Sequence, residues 1–464
     1  MTIENPLEII KQQKGVIETQ SKQIDQFKKQ LDLQQKVIND LQKVINDLQE
    51  KLNINSKNSS LPPSRDLYKL KNENRKKSEL NPGGQPGHKV NHRPFENPDK
   101  IVKCNLDNKC ECGGEIKFSN KFSTHTKVEL PEVKPVITRY ILQKGRCKNC
   151  KIKKVASLPS GVSKDLLGPR AKTTIAMLTG VHGQSKKEVQ SIFKNLLNFE
   201  ISTGLISKTE LKVSKKCLQT YESYKSELKN SEYIHADETG FNNKGKKCWA
   251  WICANNKTAL FHINQSRGRK VLENNLMLKN YSGIMISDRF GAYNIFDPDK
   301  RQLCLAHIIR NCERFAYSTD AEVAEIGANL VKTLQSVFKA SKSRLDNDVG
   351  TTNFIKTVEK IRRKFISLLN NLLEFTNSKQ VIRVARRLLS SEKMMWKFAE
   401  NTSIDATNNH AERLLRKIVL YRKKSLFVWS EEGARFIERI MSIGMTSQLR
   451  GENMYQNLLK IVSR

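Results

Sequence analysis

Tyr233-Ile234-His235-Ala236-Asp237-Glu238-Thr239-Gly240-Phe241 is a short apolar run that meets an acidic pair and then a glycine. Tyr233, Ile234 and Ala236 suit a strand packed in a core. Thr239-Gly240 is expected to end it, leaving Asp237 at a strand end with a solvated carboxylate. A second run, Gly283-Ile284-Met285-Ile286-Ser287-Asp288, reaches an acid in the same way and breaks at Arg289-Phe290-Gly291. Hard divalent cations such as Mg²⁺ take oxygen ligands from distant parts of a chain, and two strands delivering carboxylates at like ends supply them. The competing reading is two solvated turn acids, and spacing does not separate the two.

Outward from that pair, Cys248-Trp249-Ala250-Trp251-Ile252-Cys253 and Ala259-Leu260-Phe261-His262-Ile263 read as strands, followed by a helical piece over 269–278 and the strand ending in Asp288. The order β, β, β, α, β predicts a mixed α/β sheet. Gln302-Leu303-Cys304-Leu305-Ala306-His307 is a further buried strand or helix start. Cys304 and His307 have metal-like spacing, but with no second pair nearby they are expected in the core. Helical periodicity fills 322–400, where residues 329–400 hold fifteen Lys and Arg against six acids, a phosphate-binding surface or a solvated face. In Thr407-Asn408-Asn409-His410-Ala411-Glu412-Arg413, Thr407 or Asn408 is placed to cap a helix with Glu412 inside it. Glu412 shares a face with Asn408, Asn409 and Arg416; it is either an i,i+4 surface partner of Arg416 or a carboxylate for a metal and phosphate site.

The chain has 464 residues, 38% hydrophobic, enough for more than one domain. Its 82 Lys and Arg against 47 acids give +35, which implies a polyanionic partner, with nucleic acid favoured over an anionic membrane. No apolar run reaches the roughly 20 residues of a spanning helix and no secretory leader is evident, so a cytoplasmic location is expected. Ten cysteines, five of them between Cys104 and Cys150, suit local metal binding in a reducing compartment.

Towards the N-terminus, Ile10, Ile17, Ile24, Leu31, Ile38, Ile45 and Leu52 recur every seventh residue. A second seam is polar at first and then holds Phe27, Leu41 and Leu48. Over 37–50 the sequence repeats outright, Val-Ile-Asn-Asp-Leu-Gln-Lys then Val-Ile-Asn-Asp-Leu-Gln-Glu. This predicts a self-associating coiled coil over 1–56, against a lone helix lying on the body. Residues 57–100 are Pro/Gly-rich, with nine Lys and Arg against three acids over 57–93, and read as a basic linker. Cys147-Lys148-Asn149-Cys150 is a zinc knuckle facing an irregular half, Cys110-Glu111-Cys112, for which Cys104 is a substitute. With strand-like alternation at 127–130 and 136–142, residues 101–160 read as a small zinc-ribbon-like β module, or else reduced thiols in a β module. Residues 161–230 read as a helical region that touches DNA, with Ser185-Lys186-Lys187-Glu188 as a capped helix start.

Taken together, Asn58-Ser59-Ser60 through Pro62-Pro63-Ser64, Gly83-Gly84-Gln85-Pro86-Gly87-His88, the cysteine modules, His235-Ala236-Asp237-Glu238-Thr239, Asp288-Arg289, Cys304 to His307, and Asn408-Asn409 with Ala411-Glu412-Arg413 resemble the transposases of the insertion sequence 66 family. The resemblance spans nearly the whole chain. It implies a ribonuclease-H-like catalytic core over 231–425 with a helical insertion at about 320–400, then a C-terminal helical segment, 426–464. It also implies Asp237, Asp288 and Glu412 as the catalytic Asp, Asp and Glu. Two Mg²⁺, or Mn²⁺, would be bridged by Asp237 and completed one each by Asp288 and Glu412. The activity implied is DNA cleavage and strand transfer at element ends, in a homo-oligomer on the bacterial nucleoid. The family usually has two residues between the first pair of cysteines, where this chain has one. The alternatives are a non-catalytic oligomeric DNA-binding protein and a nuclease without strand transfer; carboxylates amid so much positive charge favour the enzyme.

Overall fold

The computed structural model describes residues 6–52, 97–120, 123–347, 350–401 and 403–464. The basic linker expected at 57–100 lies outside them except for residues 97–100. Helix α1 is one continuous helix, Pro6–Leu52, and Gly15 does not interrupt it. Its apolar seam residues between Ile17 and Leu48 are 46–64% exposed, so the single chain leaves both seams uncovered. Among the described residues no helix is long and apolar enough to cross a membrane.

The cysteine region departs from the expected ribbon. Residues 127–130 and 136–142 form no strand. Pro131 and Pro135 interrupt the stretch, and Val136 and Ile141 are over 90% exposed, with no neighbouring ladder to accept their backbone groups. The strands that form are β1 (Lys144–Arg146) and β2 (Lys153–Val155), an antiparallel pair flanking the Cys147–Cys150 turn.

A helical layer follows: α2 (Pro169–Ala176), α3 (Lys186–Asn195) and α4 (Thr203–Lys229). The capped start read from Ser185 is present, with Ser185 accepting from the Glu188 N–H and Glu188 accepting from the Ser185 N–H. Between α2 and α3 a π-helical turn, Met177–Val181, crosses a C-terminal helix closely. A Cβ on Gly180 would lie 2.4 Å from Ile440 Cγ2, a distance only glycine permits.

The central sheet has the order β5-β4-β3-β6-β7. Strands β3 (Tyr233–Asn243), β4 (Lys246–Ala254) and β5 (Ala259–Asn264) form an antiparallel meander, and β6 (Ile284–Ser287) and β7 (Arg301–Leu303) add in parallel on the other side. The β, β, β, helical turn, β order therefore holds. Helices α5 (Leu305–Ala316), α6 (Ala321–Asn347), α7 (Thr351–Phe375), α8 (Lys379–Ser390) and α9 (Lys397–Glu400) follow β7. They build their own core around Leu330, Leu334, Phe365 and Trp396 against Ile286 and Leu303 of the sheet. The chain ends in α10 (Asn409–Ser425), α11 (Glu431–Leu449) and α12 (Met454–Ser463).

The sheet's edge is covered rather than left as a pairing template. Successive outward N–H groups of β5, on Ala259, Phe261 and Ile263, donate to Thr446, Ser442 and Glu438. Those acceptors stand four residues apart on α11, so one helix face matches one strand edge. Glu438 is fully buried, also 3.1 Å from His262 Nδ1 and paired with Arg435. The last helices are thereby part of the same body as the sheet.

Candidate active site

Asp237 does not end its strand. It is in the middle of β3, whose eleven residues run on through Thr239-Gly240 because β4 pairs with them from His235 to Asn243, Gly240 opposite Trp249. The turn comes later, at Lys244-Gly245, both in the left-handed region. On the other side β6 pairs with β3 only at Tyr233, Ile234 and His235. Past that point β3 has no parallel neighbour, and a crevice opens where Asp237 follows on one strand and Asp288 on the other, the kind of place where open α/β sheets bind ligands.

Local backbone fixes both carboxylates. Asp237 Oδ1 accepts the Glu238 N–H at 2.9 Å, and Asp288 Oδ1 accepts the Phe290 N–H at 2.8 Å in an Asx-type turn. Asp288 also sits beside Arg301, which donates to its carbonyl and to Ser287 Oγ. Burial and then the nearby charges of Glu238, Asp288 and Glu412 hold the Asp237 carboxyl well above the usual carboxylate range. Asp288 and Glu412 thus bear on Asp237 across the crevice, although the oxygens of the three acids are not gathered within 4.8 Å as a trio.

Glu412 lies in the first turn of α10, which packs on β3 and β4. Neither Thr407 nor Asn408 caps this helix by its side chain. Asn408 is buried and ties α10 to the strand instead: its Nδ2 donates to the Ala236 carbonyl at 2.8 Å, its Oδ1 meets His235 Nδ1 at 3.1 Å, and its backbone N–H donates to Cys304 Sγ. Burial, and next the His410 ring, push His235 down to about 4, so it is neutral and presents Nδ1–H to Asn408. The strand just before Asp237 is thus clamped to the residue four before Glu412.

Glu412 does not pair with Arg416. Its Oε1 faces His307 Nδ1 at 3.7 Å, and neither buried atom has a hydrogen-bond partner. Cys304, His307 and Glu412 are, among the described residues, the one group of three or more potential ligands within 4.8 Å of one another. Cys304 is buried in the core as expected, whereas His307 is only half-buried and turns its Nδ1 to Glu412. Cys304 heads α5 and His307 lies one turn on, so both face α10. The Cys304 thiol is pushed up by burial, which suits its role as acceptor from Asn408 rather than as a thiolate ligand.

Glu238, next to Asp237, faces the opposite side of β3 and is engaged. Tyr293 Oη donates to it at 2.6 Å and Arg267 donates twice, at 2.8 and 3.0 Å. The Arg267 guanidinium lies against the Trp249 and Phe290 rings, 4.5 and 3.9 Å from their centroids. Phe290 is also the donor to Asp288, so this group links the segments that carry the first two acids.

In the cysteine region, Cys110 N–H donates to the Gly114 carbonyl and Cys147 N–H to that of Ile152, forming two tight turns. Hydrogen bonds from the N–H groups around Gly114 and around Cys150 and Asn149 lower the Cys112 and Cys147 thiols. No three of Cys104, Cys110, Cys112, Cys147 and Cys150 converge within 4.8 Å, so the structure forms both turns without bringing the expected ligand set together.

The model of the transposase IS66 family matches residues 165–436. The chain belongs to the IS66 family of transposases. The match runs from α2 into α11 and contains Asp237, Asp288, Glu412 and the Cys304–His307 pair. A family of unknown function (DUF6444) matches residues 10–94, the long helix and the stretch after it. No curated protein matches the chain. Family membership makes this transposase a nucleic-acid-processing enzyme that acts on DNA and uses a divalent metal.

Proposed function

We propose that the protein is an Asp-Asp-Glu transposase with a ribonuclease-H-like core, which cleaves DNA at element ends and transfers the strands. The observation that carries the reading is the placement of the three acids: Asp237 and Asp288 follow the paired stretch of the parallel strands β3 and β6, and Glu412 lies in the first turn of α10, which packs on β3. The residues suit a cation: Glu412 Oε1 and His307 Nδ1 are buried without partners, and Asp237 has only one N–H to offset three neighbouring acids. Asp237, Asp288 and Glu412 would hold the divalent cations, Mg²⁺ by the hardness of their oxygens. Bound cations supply Lewis acidity to the phosphodiester and a water or 3′-hydroxyl made nucleophilic near neutral pH. The chain's own groups then do the positioning. Asn408 sets α10 against β3, His307 faces Glu412 at 3.7 Å with no hydrogen bond between them, and Arg267 keeps Glu238 turned away from the crevice. No side chain is needed as a covalent nucleophile. The exposed seams of α1 support assembly of at least two copies, so that two element ends meet two sites.

The test is single-turnover cleavage of DNA carrying the element's ends. Asp237→Asn, Asp288→Asn and Glu412→Gln each keep size and remove a ligand charge, a loss of several kcal/mol or about 10³ in rate. DNA binding should persist in all three. Normal cleavage by Glu412→Gln would refute the assignment.

A further inference from the structure

The basic face of α10 runs away from the proposed site without a described function. Arg413, Arg416, Lys417, Lys423 and Lys424 are all exposed, at offsets of three, four, ten and eleven from Arg413 that put them on one stripe, with the exposed Leu420 among them at offset seven. Glu412 is the single acid of this helix, and it is turned to His307. The sixth cation, Arg422, points inward, donating to Thr239 Oγ1 and the Gly240 carbonyl.

Where the stripe ends, the chain makes an unusual turn. Leu426 and Phe427 are consecutive residues with φ of 52° and 73°, the left-handed region that bulky side chains avoid. The turn is held at both sides. The Phe427 ring stands edge-on to Phe241 at 5.3 Å, Val428 bridges Asn243 of β3 and accepts the Lys244 N–H, and Ser430 caps α11. The result of that fixed, strained path is to expose two apolar side chains, Leu426 at 69% and Trp429 at 71%. The adjoining β3–β4 hairpin tip adds Lys244, Lys246 and Lys247, all exposed.

We infer that duplex DNA follows the exposed face of α10 away from the crevice and that Leu426 and Trp429 form an apolar contact to its bases or sugars at the far end. This rests on the proposed function and specifies its DNA path. Charge selects the occupant: the stripe and the hairpin tip are cationic, and an aromatic side chain among cations is the combination that stacks on nucleotides while the cations meet phosphates. Glu412 and Lys424 are twelve residues apart, about 18 Å of helix at 1.5 Å per residue. That is roughly five base pairs at 3.4 Å, and the apolar pair lies beyond Lys424, a little more than half a helical turn from the phosphate at the acids.

Of the four tryptophans, Trp251 and Trp396 are buried and Trp249 is half-buried with Arg267 and Lys247 over its ring, which leaves Trp429 as the exposed indole. The full chain is titrated with a mixed-sequence DNA duplex while its tryptophan emission is followed. The expected results are quenching in the wild type, its loss in Trp429→Phe with affinity nearly kept, and about tenfold weaker binding in Trp429→Ala. Lys423→Gln with Lys424→Gln should flatten the dependence of log affinity on log salt by about 1.8, near 0.9 for each phosphate no longer neutralised. Quenching that persists in Trp429→Phe, or an unchanged salt slope in the lysine pair, overturns the inference. So does an emission change that follows protein concentration without DNA, which would make the turn an interface between copies. Asp237→Asn serves as the control: it is expected to quench normally while failing to cleave, so a failed catalytic reading and a failed DNA path are told apart.

Discussion

Replacing Asn408 by Ala removes the side chain that ties the start of the helix carrying Glu412 to the strand just before Asp237. Two buried hydrogen bonds are lost, to the Ala236 carbonyl and to His235 Nδ1, while the backbone N–H to Cys304 Sγ is retained. A neutral buried bond contributes about 1 kcal/mol, and stranding its partner adds desolvation, so the loss is about 2–4 kcal/mol in all. His235 enlarges the loss because, neutral and buried, it has no water to replace Asn408. The assay is denaturant unfolding of Asn408→Ala, His235→Ala and the double variant, with single-turnover cleavage alongside. The two positions should couple by about 1 kcal/mol in the cycle, and cleavage should fall about a hundredfold at conditions where the variant stays folded. A stability loss below about 0.5 kcal/mol, or additivity of the two substitutions, would refute the clamp.

The remaining predictions concern parts of the chain away from the crevice. Asp165 accepts from Lys172 and then Lys212, which holds its carboxyl below the ordinary 3.8. Its contribution, about 1–2 kcal/mol, is therefore complete above pH 5 and is lost as pH falls below 3.8 through the folded value. Asp165→Asn should be less stable than wild type at neutral pH and equal to it in acid, and an equal gap at both ends of the range would count against the pairing. The Cys110–Cys112 and Cys147–Cys150 turns stand apart, so a Zn²⁺ shared by them has to draw them together: purified protein carrying about one Zn²⁺ per chain, lost in Cys147→Ser, is the outcome expected of a shared site, and elemental analysis finding none leaves two separate turns. Light scattering should find an oligomer for the unaltered chain and a monomer when Lys replaces Ile38, Leu41, Ile45 and Leu48, and an unchanged oligomer would move the interface off α1.

The sheet was legible in the sequence because its strands are short apolar runs separated by breaks, and the acids could be picked out as residues that end such runs. Position within the strand was not. Thr239-Gly240 looks like an end when β3 is read alone, and only the ladder with β4 carries the strand through it. The third acid stood out through the company of Asn408, Asn409 and Arg416 on one helical face. Its actual neighbour, His307, lies more than one hundred residues earlier, and no local pattern joins the two. The i,i+3 spacing of Cys304 and His307 was the available signal, and it required the packing of α5 against α10 to acquire a meaning. Asn408 is a further case, since Asn at a helix start predicts a cap and tertiary bonds took its side chain instead. At 127–142 alternation suggested strands, but no neighbouring ladder is there to complete them.

The most direct test of the proposed chemistry is the metal preference of Asp288→Cys in cleavage of element-end DNA. A thiolate is a poor ligand for Mg²⁺ and an acceptable one for Mn²⁺, so a true metal ligand changes its cation requirement when oxygen becomes sulfur. The account predicts cleavage lowered by about 10³ in Mg²⁺ and restored to within about tenfold of wild type in Mn²⁺. Equal loss in both cations, or full activity in Mg²⁺, would contradict the claim that Asp288 holds the metal.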